Sequence, residues 1–325
     1  MTVAPKFLLP QLVFENNLMK ISKKTCLFLG LIVSGLFWGI ITSFPDGKLH
    51  IFFCDVGQGD AIYIRMPNQT DLLVDGGPND KVLSCLSRHM AFYDRKIDLV
   101  VLTHPQKDHL EGLITALERY TINYFITVPV ANTTQSYQVL IQKLKDMRVN
   151  IAYLTTDDKI RFDDVTAKVI WPQKNWLIET LKMNSEQEDR LNKFTNSGNL
   201  LGISTNLDLN IFSLYLSISY KNFSLLLTGD GDRQTQAEIL SLGLESIIPA
   251  IAVLKVPHHG SATALRTDFI EILHPLLSVI EVGKNNYGHP NKDTINLLSK
   301  FGQVMRTDQS GDIEVITDGL KFSIK

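Results

Sequence analysis

Residues 104–109 read His-Pro-Gln-Lys-Asp-His, two imidazoles and a carboxylate within six positions, placed where the apolar run Val100, Val101, Leu102 breaks at Thr103. The pattern recurs. Asp75 follows "LLV", Asp230 follows "LLLTG", His258 and His259 follow "LKVP", and His289 stands in "YGHP" shortly after "LSVIEVG". Imidazole nitrogens with carboxylate oxygens are the ligand set of zinc and manganese. Two such sets sharing a carboxylate can hold ions about 3.5–4 Å apart, which activate water and clamp a phosphoryl oxygen. By residue type, His104, Asp108, His109, Asp230 and His289 are candidate ligands, and Asp75 is a candidate for orienting one of them. Taken singly, each has a plainer reading. Asp before Gly forms turns, and a lone histidine at a strand end is usually structural. Recurrence at successive strand ends favours the metal, whereas His50, His89 and His274 share no such context and are read as structural.

Active sites of α/β folds collect where strands end, because rigid elements fix the loops that follow. The elements here are legible. "LHIFFCDVGQGDAIYIRM" and "TDLLVDGG" read as strands with tight turns. Residues 79–93 carry Val82, Leu83, Leu86 and Met90 at helical spacing, and "IDLVVLTH" follows as a strand, giving a β-α-β unit. "LITALERY" and "SYQVLIQKLKDMRV" are predicted helices around the strand "NYFITVPV". Residues 173–208 are polar and predict an insertion or loop. "NIFSLYLSISY" and "FSLLLTGD" then predict strands, followed by a helix ending at Gly243, the strands in "AIAVLKVPHHGS" and "LSVIEVG", a helix capped by Asp293, and two closing strands, "DIEVIT" and "LKFSI".

At 325 residues and 44% hydrophobic content the chain can bury a large core. Its 32 basic against 34 acidic side chains give no global pull toward nucleic acid, so any such attraction must come from a local patch. Cys26, Cys54 and Cys85 are far apart with no CxxC spacing, and Cys54 and Cys85 read as plain buried residues. Residues 25–44, "TCLFLGLIVSGLFWGIITSF", lack charge, and about 20 residues at roughly 1.5 Å each match a bilayer's hydrocarbon thickness. With Lys20, Lys23 and Lys24 before the run, the expectation is a cytoplasmic tail over residues 1–24, a single-pass anchor over 25–44, and a domain over 46–325 outside the cytoplasmic membrane.

In order and content, "FFCDVGQGDAIYIRMPNQTDLLVDGG", "THPQKDHLEGL", "LLLTGD", "LKVPHHGS", "YGHP" and "RTDQSGDIEVITDG" resemble the metallo-β-lactamase superfamily, in particular its ComEC-type hydrolase domains of DNA-uptake proteins. The resemblance covers nearly everything from Leu49 onward. It implies a four-layer αββα sandwich with one or two divalent ions, manganese or zinc, at one edge. His104 would ligate the first ion, Asp108, His109 and His289 the second, and Asp230 would bridge. His259, or else His258, would donate a proton. In the alternative arrangement His259 is the late ligand and His289 meets substrate phosphate. Lys255, Ser261 and Asn286 are expected at the substrate, with Lys284, Lys292 and Arg306 forming a local basic patch.

Two positions depart from the superfamily pattern. Gln106 stands at the middle of His-x-His-x-Asp-His, and Asn210 where many members carry histidine; neutral carbonyl oxygens are weaker ligands than imidazole or carboxylate. The expected function is a membrane-anchored phosphodiesterase or nuclease acting on DNA, with DNA-uptake components as partners. The alternatives are a phosphodiesterase on phosphorylcholine or a cell-wall polymer, and a tethered binder of DNA or a partner that lacks catalysis.

Overall fold

Strand and helix runs alternate as the hydrophobic pattern predicts. The computed structural model describes residues 22–42, 45–193, 195–196, 202–243 and 250–325, with the side chains of 36–42, 195 and 196 outside that description. The strands of the first half are β1 (Leu49–Phe53), β2 (Ile62–Arg65), β3 (Asp71–Val74), β4 (Lys96–Val101), β5 (Thr121–Thr127), β6 (Val130–Ala131) and β7 (Asn150–Tyr153). Those of the second half are β8 (Lys159–Phe162), β9 (Val165–Trp171), β10 (Thr195–Asn196), β11 (Ile203–Ser204), β12 (Tyr215–Tyr220), β13 (Phe223–Leu227), β14 (Val253–Lys255), β15 (Leu277–Ile280), β16 (Gln303–Arg306), β17 (Ile313–Thr317) and β18 (Phe322–Ile324).

Among the described residues these form a sheet in the order β10-β7-β5-β4-β3-β2-β1-β17-β18, a second in the order β16-β15-β14-β13-β12-β9-β8, and a separate parallel pair of β6 and β11. Side chains alternate across each strand, so one strand feeds two cores. Leu72 and Val74 of β3 pack inward with Leu225 and Leu227 of β13, while Leu73 and Leu226 point outward into separate clusters. Helices α2 (Lys81–His89), α3 (Lys107–Arg119) and α4 (Gln135–Asp146) cover the first sheet through Leu86, Leu113 and Leu140. Helices Arg233–Ser241, Thr267–Leu273 and Lys292–Leu298 cover the second through Ile239, Phe269 and Leu298. The result is the αββα layering, each fully buried Leu, Ile or Phe contributing about 1.5–3 kcal/mol by transfer from water.

Several local expectations change. Cys54 and Cys85 are joined as a disulfide with Cα atoms 5.8 Å apart, which ties the end of β1 to α2; a spacing of 31 residues gave no hint that the two ends meet. The stretch 173–208 is partly core. Helix Lys174–Leu181 buries Leu177 and Leu181, and Trp176 lies between Trp171 and Phe212. Residues 194 and 197–201 of it lie outside the described residues. The cap of Lys292–Leu298 is Asn291, whose Oδ1 accepts from the N–H of Asp293 at 2.8 Å, so Asp293 is in the first turn and not the cap.

The N-terminal unit, residues 1–44, is separate from the unit 45–325. Its apolar run forms helix α1 (Lys23–Thr42). Among the described residues no helix is long and apolar enough to cross a membrane, and the expected anchor's residues 43 and 44, with the side chains from 36 onward, lie outside them.

Candidate metal centre

The site lies where β3, β4, β13, β14 and β15 end. Helix α3 begins at Lys107, earlier than its apolar pattern suggests, so Asp108 and His109 occupy its first turn. A carboxylate there is favoured by the N-terminal end of the helix dipole. The helix can sit so low because Gly112 meets Gly76: a Cβ on Gly112 would overlap the Gly76 carbonyl. This approach brings His109 against Asp75, whose left-handed backbone (φ 58°) turns its carboxylate under the helix.

Proton bookkeeping fixes three imidazoles. Asp75 accepts from the Thr103 N–H and hydroxyl, each at 2.8 Å, and from His109 Nδ1 at 2.8 Å. Because the Thr103 hydroxyl spends its proton on Asp75, it accepts from His104 Nδ1, 3.1 Å away. His259 Nδ1 donates to the Glu281 carbonyl at 2.8 Å. In the neutral ring each histidine would thereby be left with its Nε2 as the ligating atom. The Nε2 atoms of His104 and His109 are buried without a hydrogen-bond partner, as is Asp230 Oδ1.

These atoms converge. Asp108, His109, Asp230 and His259 each offer a ligand atom, all within 4.8 Å of one another. His259 Nε2 stands 3.4 Å from Asp108 and 3.5 Å from Asp230, and His109 Nε2 is 3.4 Å from Asp230. The ring of His104 lies 4.2 Å from that of His109. Unpartnered buried nitrogens facing carboxylates fit a divalent cation by donor type and by what they lack. Hence the four-residue group, with His104 beside it, could hold one.

Electrostatics agree. Burial opposes charge on His109, yet Asp230, Asp75, Asp60 and Asp108 hold its pKa well above the ordinary imidazole value. Burial likewise opposes charge on His259, but Asp230 and Asp60 raise it to about 10. Burial also works against ionising Asp108 and Asp230, and the imidazoles override it, holding Asp108 at about 2 and Asp230 well below the carboxylate range. His104, buried and beside His109, is pushed down to about 3. The cluster draws positive charge to its centre, and a metal ion would take the place of protons.

His289 stands outside the ligand group. Its ring is 6.4 Å from that of His259 and it lines the cleft above, whereas His259 is in the group, as in the alternative arrangement. His258 also lines the cleft, with its ring 5.5 Å from that of His289 and its Nδ1 unpartnered. Both His258 (φ 49°) and His259 (φ 50°) are left-handed, a conformation costing a non-glycine residue about 1–3 kcal/mol; the kink sends one ring down to the ligands and the next into the cleft.

Lys255 is not a surface contact. It is fully buried, ion-paired with Asp60, donates to the Gly229 carbonyl at 2.9 Å and lies 3.7 Å from Asp230. Ser261 is buried with its hydroxyl 3.3 Å from that of Thr263 and does not line the cleft. Asn286 and Lys284 are on the exposed rim, whereas Arg306 is held by Asp308 at 2.6 Å. Gln106 lines the cleft beside Asp108. Asn210 is buried with Oδ1 unpartnered, in a turn whose Ser213 hydroxyl accepts from the Asp230 N–H. Sequence reasoning missed Asp60 and Glu281. Their signal was an acid inside an apolar strand run or a glycine turn, a burial that requires a partner.

Residues 70–187, which include Asp75, His104, Asp108 and His109, match the family model described as beta-lactamase superfamily domain. Over those residues the chain is similar to one class of protein, the metallo-β-lactamase-fold hydrolase domains. Within the class the chain is similar to ComE operon protein 3 of Bacillus subtilis (strain 168), 25% identical over 283 residues that cover 80% of this chain and 32% of that protein. The chain thus spans about a third of that relative's length. Among solved structures it is similar to the metallo-β-lactamase fold protein YhfI of Bacillus subtilis (12% identity, TM-score 0.47, 81% of this chain and 98% of that one). It is also similar to Igni18, a metallo hydrolase of Ignicoccus hospitalis KIN4/I (13% identity, TM-score 0.47, 82% and 98%).

Proposed function

We propose that the chain is a metal-dependent phosphodiesterase that cleaves DNA outside the cytoplasmic membrane. The observation that carries this reading is the position of the ligand group: Asp108, Asp230 and His259 reach the floor of an open cleft of about 750 Å³ whose rim bears Lys107 and Lys284. A dense acidic and imidazole floor beneath a basic rim suits a phosphodiester, whose anionic oxygens need cations on both sides.

A divalent ion held by Asp108, His109, Asp230 and His259, with His104 adjoining, would supply Lewis-acid polarisation of a phosphoryl oxygen and activation of water. The chain's own residues do the rest. Asp75 and the Glu281 carbonyl hold His109 and His259 by their Nδ1 atoms, so neither ring can rotate away. Lys107 and Lys284 position the flanking phosphates. His258, which lines the cleft, donates the proton that the leaving oxygen takes up, and His289 beside it holds a phosphate oxygen.

The extracytoplasmic site and the anchoring through residues 25–44 are part of the same reading. The Cys54–Cys85 disulfide supports it, since such bonds persist in oxidising compartments, as do the lysines at 20, 23 and 24 ahead of the apolar run. Association with DNA-uptake components rests on the resemblance of the sequence blocks to ComEC-type hydrolase domains alone. The test is cleavage of labelled single- and double-stranded DNA by the full chain in detergent with Mn, Zn or Mg, beside Asp108→Ala and Asp230→Ala. Metal-dependent cleavage lost in both variants supports the proposal, while DNA left intact by a metal-loaded chain rejects it.

A further inference from the structure

Tyr287 holds its ring in water at the rim of the cleft, 76% exposed, although a large apolar surface is ordinarily buried. The loop beneath it is braced. Asn285 makes four hydrogen bonds within it: Nδ2 donates to the Gly283 and His289 carbonyls at 2.8 Å each, and Oδ1 accepts from the Tyr287 and His289 N–H groups at 3.0 and 3.1 Å. The Gly283 N–H donates to Gln58 Oε1 at 3.3 Å, and that glycine lies so close to the Gly57 backbone that no Cβ would fit. An exposed aromatic on a braced loop is a pre-formed platform, losing little freedom when a ligand settles on it.

Its surroundings state what the ligand is. The Tyr287 ring centroid is 5.8 Å from that of His289, so whatever stacks on it lies next to the part of the cleft that His289 lines. Lys284 precedes it in the loop and Lys107 stands on the same rim, both cationic. Apart from histidines, Tyr287 is the one aromatic among the described residues lining this cleft, so no cage for a quaternary ammonium exists, and the lysines would repel one. One stacking face with lysines at hand is the arrangement that takes a base and its backbone from a single strand.

We infer that Tyr287 stacks an unpaired base adjoining the scissile phosphodiester and makes the site selective for single-stranded DNA. This rests on the nucleic-acid reading of the site. In a duplex the base is stacked on its neighbours and must be extruded first, which weakens binding.

The experiment is fluorescence anisotropy with the metal-loaded full chain in detergent, on probes with non-hydrolysable phosphorothioate linkages so that no cleavage intervenes. Three probes are used: a short labelled single strand, the same strand with abasic tetrahydrofuran units around its centre, and a blunt duplex. The single strand binds about tenfold more tightly than either alternative, as one base–aromatic stack is worth. Tyr287→Phe retains that margin and Tyr287→Ala lowers the base-bearing strand to the affinity of the abasic one. Equal binding of abasic and base-bearing strands by the unmodified chain, or an unaltered margin in Tyr287→Ala, would overturn the platform while leaving a DNA phosphodiesterase standing. Failure of all three probes to bind would remove the nucleic-acid reading and the platform with it.

Discussion

The ammonium of Lys255 is sealed beneath the metal centre in an ion pair with Asp60, 3.7 Å from the carboxylate of Asp230. All three side chains are 2% exposed or less. Burial disfavours the lysine's charge, but Asp60, Asp230 and Glu281 outweigh it and raise its pKa. Asp60, which burial would neutralise, is held ionised by Lys255 and by His109 and His259.

Removing one partner of such a pair leaves a buried charge uncompensated. Lys255→Met should therefore destabilise the fold by roughly 3–5 kcal/mol, read as a fall in the urea midpoint, and adding Asp60→Asn to it should recover a large part of the loss. A lysine that only touched substrate would give neither result.

Asp75 acts through His109. In Asp75→Asn the amide is a poorer acceptor for Nδ1–H, and metal affinity measured by competition with a chelating dye should fall about 10–100-fold while the folded far-ultraviolet spectrum persists. Unchanged affinity would show that the packing of α3 alone fixes the ring.

A pH dependence arises away from the metal. Burial opposes ionisation of Asp312, but His89, the Asp55 N–H and Arg88 outweigh it and hold the carboxyl at about 2, against about 3.9 in an unfolded chain. A depressed carboxyl stabilises fully above its unfolded pKa, and the contribution disappears as pH falls from about 4 through about 2. After allowance for solvent screening it is about 1–2 kcal/mol. Urea midpoints measured across that window should drop less steeply in Asp312→Asn.

Cys54 and Cys85 should resist alkylation in intact cells until a reductant is added, as a disulfide in an oxidising compartment does. Ready alkylation of both thiols without reductant would place the domain in a reducing one.

Much of this was legible because strand ends announce themselves. Apolar runs that break into Asp75, His104, Asp230 and His259 pointed to residues that the fold brings near one another. What hid was long-range. The choice between His259 and His289 depends on where a left-handed kink at 258 and 259 aims two adjacent rings, which spacing does not encode. Lys255 read as a phosphate contact because its partner, Asp60, is 195 residues away and sits in a glycine-rich turn that looks like punctuation. The insertion looked peripheral because polar residues surround Leu177 and Leu181.

The most direct measurement is the metal content per chain, by mass spectrometry of the dialysed full-length protein, in the unmodified chain, His259→Ala and His289→Ala. The account predicts that His259→Ala loses bound metal while His289→Ala keeps it and binds DNA less tightly. Metal retained by His259→Ala and lost by His289→Ala would contradict the ligand group on which the proposed chemistry stands.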